Sequence, residues 1–181
     1  TKQTETGAIL ETNLLGTFHL LQACESVDYK AFINTGSSSE YGEKNHPMSE
    51  EDRLEPYNDY GVAKAAATLY GAAHARHAGK PIVTCRLFSV YGPYEESFRL
   101  IPSIMKGVVD KEKIHLSSPS PVRDFIHVGD VINAYERVID AATNFPGEIF
   151  NIGTGEQHSI GEVVTTMGKI VDHPLNVEWG T

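Results

Sequence analysis

The sequence is poor in cysteine, short of basic residues and free of long apolar runs. Two cysteines occur, Cys24 and Cys85, far apart and in no CxxC pair. That spacing argues against a disulfide framework or a cysteine-based zinc site, and two free thiols suit a reducing compartment. Lysine and arginine number 15 against 24 aspartate and glutamate, a formal charge of -9 with a pI near 5.3. A nucleic acid or an anionic membrane would want a basic face, so neither is expected as a partner. No stretch approaches the ~20 apolar residues of a membrane span. Thr1-Lys2-Gln3-Thr4 carries no basic-then-apolar leader pattern. These absences together predict a cytoplasmic protein. The first residue is Thr rather than Met, so the chain is expected to begin inside a longer protein. What remains, 40% hydrophobic and 22% charged residues, is ordinary globular composition. A chain of 181 residues fits one domain or part of a larger one.

Hydrophobic periodicity lays out alternating helices and strands. Ile9, Leu10, Leu14, Thr17, Leu20, Leu21 and Cys24 recur near a 3.6-residue period, predicting a helix over 5–25. Ala31-Phe32-Ile33-Asn34 reads as a short buried strand, ended by Gly36 and its serines. Residues 43–57 are polar, carry Pro47 and Pro56, and read as a loop. Residues 58–78 are alanine-rich and read as a second helix, stopped at Gly79-Lys80-Pro81. Residues 82–88 are β-branched and apolar, a strand. Tyr91-Gly92-Pro93 turns the chain. A helix is expected over 98–109, a short strand over 114–116, and a loop from Ser117 to Pro121. Val131, Ala134, Tyr135, Val138, Ile139 and Ala142 mark an amphipathic helix. Residues 148–152 form a further strand, and Ser159-Ile160-Gly161-Glu162 a capping box opening another helix. A last strand is expected over 175–179. Strands alternating with helices predict an α/β fold with a parallel sheet.

The chemistry centres on Tyr60-Gly61-Val62-Ala63-Lys64. Positions i and i+4 share a helix face, so the phenol and the ammonium can meet at one pocket. A cation beside a phenol favours its ionised form and so equips it to move protons near neutral pH. Ser37 follows a strand end, where α/β sheets place ligand-binding groups, and its hydroxyl can bond a reacting oxygen. Ser38 and Ser39 are turn residues in the same cluster. Arg123, beside a Pro/Ser loop, can clamp a phosphate in bidentate fashion or pair with Asp124. His74 and His77 lie at i, i+3 but lack further ligands for a metal, and His127 reads as a hydrogen-bonded strand residue. Gly153-Thr154-Gly155 lacks the third glycine and the lysine of a nucleotide motif and reads as a turn.

Six segments, in order, carry a resemblance to a known family. They are Asn13 to Thr17 with Leu20 to Ala23, Ser37 to Gly42, Tyr60 to Lys64, Arg86 to Pro93, Arg123 to Val131, and Phe150 to Gly155. On these the chain resembles an extended short-chain dehydrogenase/reductase of the NAD-dependent epimerase/dehydratase family, which acts on nucleotide sugars. The resemblance implies the rear part of a Rossmann-like doubly wound parallel sheet plus part of a smaller substrate-binding lobe. Residues 1–92 would be the C-terminal portion of the dinucleotide-binding domain. Residues 93–181 would be substrate-side segments, with strand 148–152 returning to the main sheet. It further implies NAD or NADP as cofactor and a nucleotide-diphosphate sugar as substrate. Tyr60 would be the base, with Ser37 on the reacting oxygen. Lys64 would hold the nicotinamide ribose. Phe88 would lie near the nicotinamide, and Asn13 would be structural beside the cofactor. Arg123 would bind the diphosphate, with Ser38, Ser39 and Ser89 on the substrate; Ser89 stands where relatives often have Asn. Relatives commonly dimerise through the helices read here as 5–25 and 58–78. Small residues there, among them Ala65, Ala66, Ala72 and Ala73, would permit close packing.

The chain departs from the family pattern in two respects. It has no GxxGxxG turn and no acidic or basic residue after it to choose between NAD and NADP. It also lacks the usual end of the substrate lobe. A fragment from the middle and rear of the family fold is therefore expected, binding cofactor poorly by itself because the pyrophosphate lacks its helix N-terminus. Dehydratases of the family carry an acidic pair directly after the catalytic Thr or Ser. Ser38 and Ser39 fill those places, and Glu40 comes one later. The expectation is thus a nucleotide-sugar 4-epimerase. A 4-ketoreductase, a 4,6-dehydratase and a non-enzymatic relative remain the alternatives.

Overall fold

A computed structural model of the protein describes residues 6–180. The chain opens with α1 (Thr6–Leu10), a π-helical turn (Glu11–Leu15) and α2 (Gly16–Ala23). Then come β1 (Phe32–Ser37), a 3-10 turn (Ser38–Glu40), α3 (Asp59–Ala78), β2 (Ile82–Leu87) and β3 (Ser89–Tyr91). α4 (Leu100–Asp110), β4 (Ile114–Leu116), β5 (Val122–Arg123), β6 (Phe125–His127) and α5 (Val128–Ala141) follow. β7 (Ile149–Ile152), β8 (His158–Ser159), α6 (Ile160–Ile170) and β9 (Val177–Trp179) complete the order. The chain falls into two compact units. One holds Thr1–Phe88 with Asp130–Ile152, the other Ser89–Gly129 with Gly153–Thr181.

The first unit is built on a parallel sheet in the order β1-β2-β7. β2 is central, and Ile82 to Arg86 are buried throughout, as expected for a parallel strand covered on both faces. α3 is the crossover from β1 to β2. Asn58 caps its start, its side-chain oxygen accepting from the Gly61 N–H at 2.8 Å. Gly79, at φ 61°, ends it in the left-handed region. Gly61, Ala63, Ala65, Ala67, Thr68, Gly71, Ala72 and Ala75 are buried. Their small side chains let the helix axis approach the sheet closely. Leu21, Ala75 and Ile82 form the centre of this core, with Tyr29, Phe32 and Tyr70 packed against it.

β1 runs from Phe32 through Ser37, beyond the Ala31–Asn34 that its apolar run suggested, because pairing with β2 carries the ladder on through Gly36 and Ser37. The first helix holds a π turn that periodicity alone does not show. Asn13 lies in that turn and its amide donates to the Ile9 carbonyl at 3.0 Å. The Asn13 carbonyl in turn accepts from Thr17 Oγ1 at 3.0 Å.

The second unit contains three two-stranded pairings: β3 with β6 and β4 with β9, both parallel, and β5 with β8, antiparallel. Several of these strands are two or three residues long, too short to leave a periodic trace in sequence. α4 rests on β4, with Ile104 and Ile114 buried. Ser159 and Glu162 form the expected capping box, the Glu162 carboxylate accepting the Ser159 N–H at 2.7 Å and Ser159 Oγ the Glu162 N–H at 3.1 Å. Among the described residues no helix is long and apolar enough to cross a membrane.

Candidate active site

Three successive turns of α3 lean on the segment that ends β1. Gly61 packs so closely that a Cβ there would stand 2.6 Å from the Ser39 carbonyl oxygen. One turn on, Lys64 Nζ donates to the Thr35 carbonyl at 2.9 Å. One further turn on, Thr68 Oγ1 donates to Glu40 Oε1 at 3.0 Å. Tyr60 occupies the first turn, and the Lys64 ammonium lies 5.7 Å from its ring centroid. Tyr60 and Lys64 therefore share a face, beside the serine cluster.

Ser37, itself buried, is the N-cap of the 3-10 turn. Its Oγ accepts the Ser39 N–H at 3.2 Å, and its own N–H goes to Glu40 Oε1 at 2.9 Å. The Ser37 O–H proton has no protein acceptor among these bonds and is free to point at a ligand. Ser38 and Ser39 are half-buried members of the same turn.

Lys64 is half-buried. Burial lowers the pKa of its ammonium, and the nearby Glu40 charge pulls it back up. An open cavity of about 270 Å³ adjoins it, lined by Thr12, Gly16, Thr17, residues 32–35 and Lys64 among others. Phe88 follows β2 directly and donates its N–H to the Ile152 carbonyl at 3.1 Å. Asn13, Ser37, Tyr60, Lys64 and Phe88 all belong to the first unit, while Ser89 and Arg123 belong to the second.

In the second unit, Asp124 does not pair with Arg123. Its carboxylate instead accepts the Thr154 N–H at 2.9 Å, the Thr154 hydroxyl at 2.8 Å and the Gly155 N–H at 2.8 Å. Two amides of the Gly153-Thr154-Gly155 turn are thus already bound to a carboxylate, so the turn is closed to a phosphate. Arg123 donates to the Val122 carbonyl at 2.8 Å, and among the described residues no acid forms an ion pair with it. It lies opposite His158 in the β5–β8 ladder, exposed to solvent. Ser89 donates its N–H to the Asp124 carbonyl at 2.9 Å. No group of three His, Cys, Asp or Glu side chains among the described residues converges as a metal site.

Sequence reading missed the network beneath the serines. Arg86, the penultimate residue of β2, is 1% exposed, and its Nε meets Glu40 Oε2 at 2.7 Å. Its Nη1 donates to Tyr41 Oη at 2.8 Å, and Tyr41 donates to Asn151 Oδ1 at 2.8 Å. Asn151 then ties down the loop after β1, donating to the Met48 carbonyl at 3.3 Å and to Glu50 Oε1 at 2.8 Å. One signal was present. An arginine between Cys85 and Leu87 in an apolar central strand must find a buried acid, since an unpaired buried charge is prohibitively costly.

A family model described as the NAD dependent epimerase/dehydratase family matches residues 1–153, and the chain belongs to that family. Among curated proteins it is 31% identical to an Arabidopsis thaliana protein over 93% of this chain and 26% of the relative. That relative is named as a trifunctional UDP-glucose 4,6-dehydratase, UDP-4-keto-6-deoxy-D-glucose 3,5-epimerase and UDP-4-keto-L-rhamnose reductase. Among solved structures it is similar to UDP-glucuronic acid 4-epimerase from Bacillus cereus, in complex with UDP-glucuronic acid and NAD. The TM-score is 0.86 at 28% identity, over 92% of this chain and 54% of that one. It is also similar to dTDP-glucose 4,6-dehydratase from Bacillus anthracis in complex with NAD, with a TM-score of 0.88 at 26% identity, over 97% and 57% of the two chains. The chain thus spans about half the length of these structural neighbours. The fold is α/β with a parallel sheet of the Rossmann-like kind seen in them.

Proposed function

We propose that the protein is a cytoplasmic nucleotide-sugar 4-epimerase that works through a transient 4-keto sugar with a bound nicotinamide cofactor. The observation that carries this reading is the Lys64 ammonium 5.7 Å from the Tyr60 ring centroid, on the helix face turned to the Ser37 segment. Tyr60 takes the proton from the sugar O4 and later returns it. Ser37 donates its free O–H to the same oxygen. Lys64, on the same helix face, donates to the nicotinamide ribose hydroxyls. A nicotinamide held by Lys64 and Tyr60 would supply the hydride acceptor for C4 and, after the keto sugar turns, the hydride donor to its other face.

The residues present fit one end of that cofactor. An ammonium that lines an open cavity, with a phenol on the same helix face, suits a ribose diol. Asn13 and Phe88 would complete the wall. The Gly153–Gly155 turn does not fit the pyrophosphate, because Asp124 already occupies it. Arg123, with no acid paired to it among the described residues, would take the substrate diphosphate, and Ser38, Ser39 and Ser89 would contact the sugar nucleotide. A nicotinamide cofactor, NAD or NADP, is supported by the structural neighbours, which were solved with NAD or NADPH.

Dehydration is disfavoured by Glu40, the one acid in the serine cluster. Its carboxylate is 0% exposed and already accepts from Ser37, Thr68 and Arg86. It has no access to a sugar C6 hydroxyl. The second reading is a 4-ketoreductase, supported by the reductase activity in the plant relative's name.

Assembly as a homodimer through α1, α2 and α3 is part of the proposal. Val62, Ala66, Leu69 and Ala73 lie at i, i+4, i+7 and i+11 on α3, with Val62 and Leu69 46% and 59% exposed. Ala65 and Ala72, by contrast, are buried within the chain's own core, so only two of the four alanines singled out in sequence could face a partner.

The test uses the natural full-length protein with a panel of UDP- and dTDP-sugars. Epimer formation without net change at 340 nm is expected. Stoichiometric loss of 340-nm absorbance on a 4-keto-6-deoxy sugar nucleotide would favour the reductase instead. No turnover with either would overturn both.

A further inference from the structure

We propose that the buried Glu40 carboxylate, clamped by Arg86, is a positioning group that sets the distance between the Ser37 hydroxyl and the Tyr60–Lys64 turn. One carboxylate joins three elements. Oε1 accepts from the Ser37 N–H at the end of β1 (2.9 Å) and from Thr68 Oγ1 on α3 (3.0 Å). Oε2 accepts from Arg86 Nε on β2 (2.7 Å). Thr68 lies one helical turn beyond Lys64 and is 0% exposed, so its tether holds the face that carries Tyr60 and Lys64.

The surrounding backbone is shaped around this bridge. A Cβ at Gly36 would stand 2.7 Å from Glu40 Oε1, so the carboxylate occupies space that only a glycine leaves open. A Cβ at Gly61 would press on the Ser39 carbonyl at 2.6 Å, and its absence brings the first turn of α3 against the serine turn. Filling volume alone would not require charge, because well-packed apolar groups can replace a buried ion pair with little loss of stability. An acceptor aimed at the Ser37 amide and the Thr68 hydroxyl together is a directional requirement that apolar groups cannot meet. Electrostatics add to the geometry, since the Glu40 charge also acts on the half-buried Lys64 ammonium. Glu40 is 0% exposed and acts through Ser37 and α3.

The inference rests on the proposed catalytic roles of Ser37, Tyr60 and Lys64, and its test separates the two. In the full-length protein, Thr68→Val removes the helix tether with little change of shape, and Thr68→Ser restores it. Glu40→Met/Arg86→Met replaces the pair with apolar side chains. Misplacing reacting groups by ~1 Å can cost about 10²-fold. We expect kcat to fall roughly 10-fold in Thr68→Val and 10²-fold in the double variant, with KM changed less than about 3-fold, the pattern of a lost transition-state interaction. Thr68→Ser should recover most of it. Wild-type kcat in both variants, or a rise in KM alone, overturns the inference. Amide hydrogen exchange supplies a readout that needs no substrate. In Thr68→Val, the amides of Ser37 and Ser39 and those of the first two turns of α3 should exchange faster together. If the wild-type protein turns over no nucleotide sugar, the functional reading fails, and the exchange result alone decides; unchanged protection at Ser37 overturns the positioning role.

Discussion

Glu40 and Arg86 meet at 2.7 Å with side-chain exposures of 0% and 2%, an ion pair with no contact with solvent. Ser37 on β1, Thr68 on α3 and Tyr41 after the 3-10 turn all bond to it, so the pair links local turns into one site. Its energetics are asymmetric. A complete buried pair adds little net stability, whereas half of one is strongly destabilising.

Arg86→Met alone should therefore destabilise the protein by about 3–5 kcal/mol, read as a lower urea midpoint at constant slope. Glu40→Met/Arg86→Met should recover most of that loss. A single variant as stable as wild type would contradict the burial of an uncompensated carboxylate.

Tyr60→Phe should lower kcat by about 10²–10⁴-fold, the usual range for loss of a general acid–base, while cofactor remains bound. Turnover on a nucleotide sugar and cofactor content after gel filtration check it together. An active Phe variant would remove Tyr60 from its proposed role.

Lys64 gives a pH prediction. Burial lowers its ammonium below the ordinary 10.5, with Glu40 opposing. The proposed role needs the cation, so activity should fall on the alkaline side before pH 10.5. Lys64→Arg should carry a cation past that limit and move the descending limb upward. The stability effect has its own sign. Between the lowered value and 10.5 the unfolded chain holds the extra proton, so this group's contribution improves as pH rises through that window. A limb unmoved by Lys64→Arg would assign it to another group.

Cys85 runs the other way. It is fully buried in β2, and burial pushes its thiol from 9.0 to about 11. Between those values the folded chain holds the proton and the unfolded chain releases it. Stability is intact below about pH 9 and declines by roughly 2–3 kcal/mol toward pH 11. Cys85→Ala should flatten that decline, as judged by urea unfolding at pH 8 and pH 10.5. In the native state a thiol reagent should label Cys24, which is partly exposed, and spare Cys85.

Gly42→Ala should loosen the loop that follows the serine turn. Gly42 has φ +73°, and a Cβ there would stand 2.0 Å from the Glu55 carbonyl oxygen. Backbone on one side and a left-handed residue on the other leave no cheap relief. Limited proteolysis should cut within residues 43–57 in the variant and not in wild type.

Much of this site was legible from neighbouring residues alone. The Tyr60–Lys64 spacing, the stop of α3 at Gly79 and the Ser159–Glu162 box all act within one or two helical turns, where chain geometry fixes which side chains meet; the Asn58 cap, which the reading of 58–78 as helix passed over, was decided by the structure. The strand ending at a serine cluster was legible for the same reason. Tertiary structure decided the rest. Glu40 finds Arg86 across 46 residues of chain, and Tyr41 finds Asn151 across 110. Asp124 turns from its neighbour Arg123 to the Thr154 turn. These choices depend on sheet register and on which buried charge must be neutralised, and neither leaves a periodic mark in a sequence. Local spacing determined which residues could act together, and the pairing of β1 with β2, by bringing a lone acid onto a lone buried arginine, decided what holds them in place.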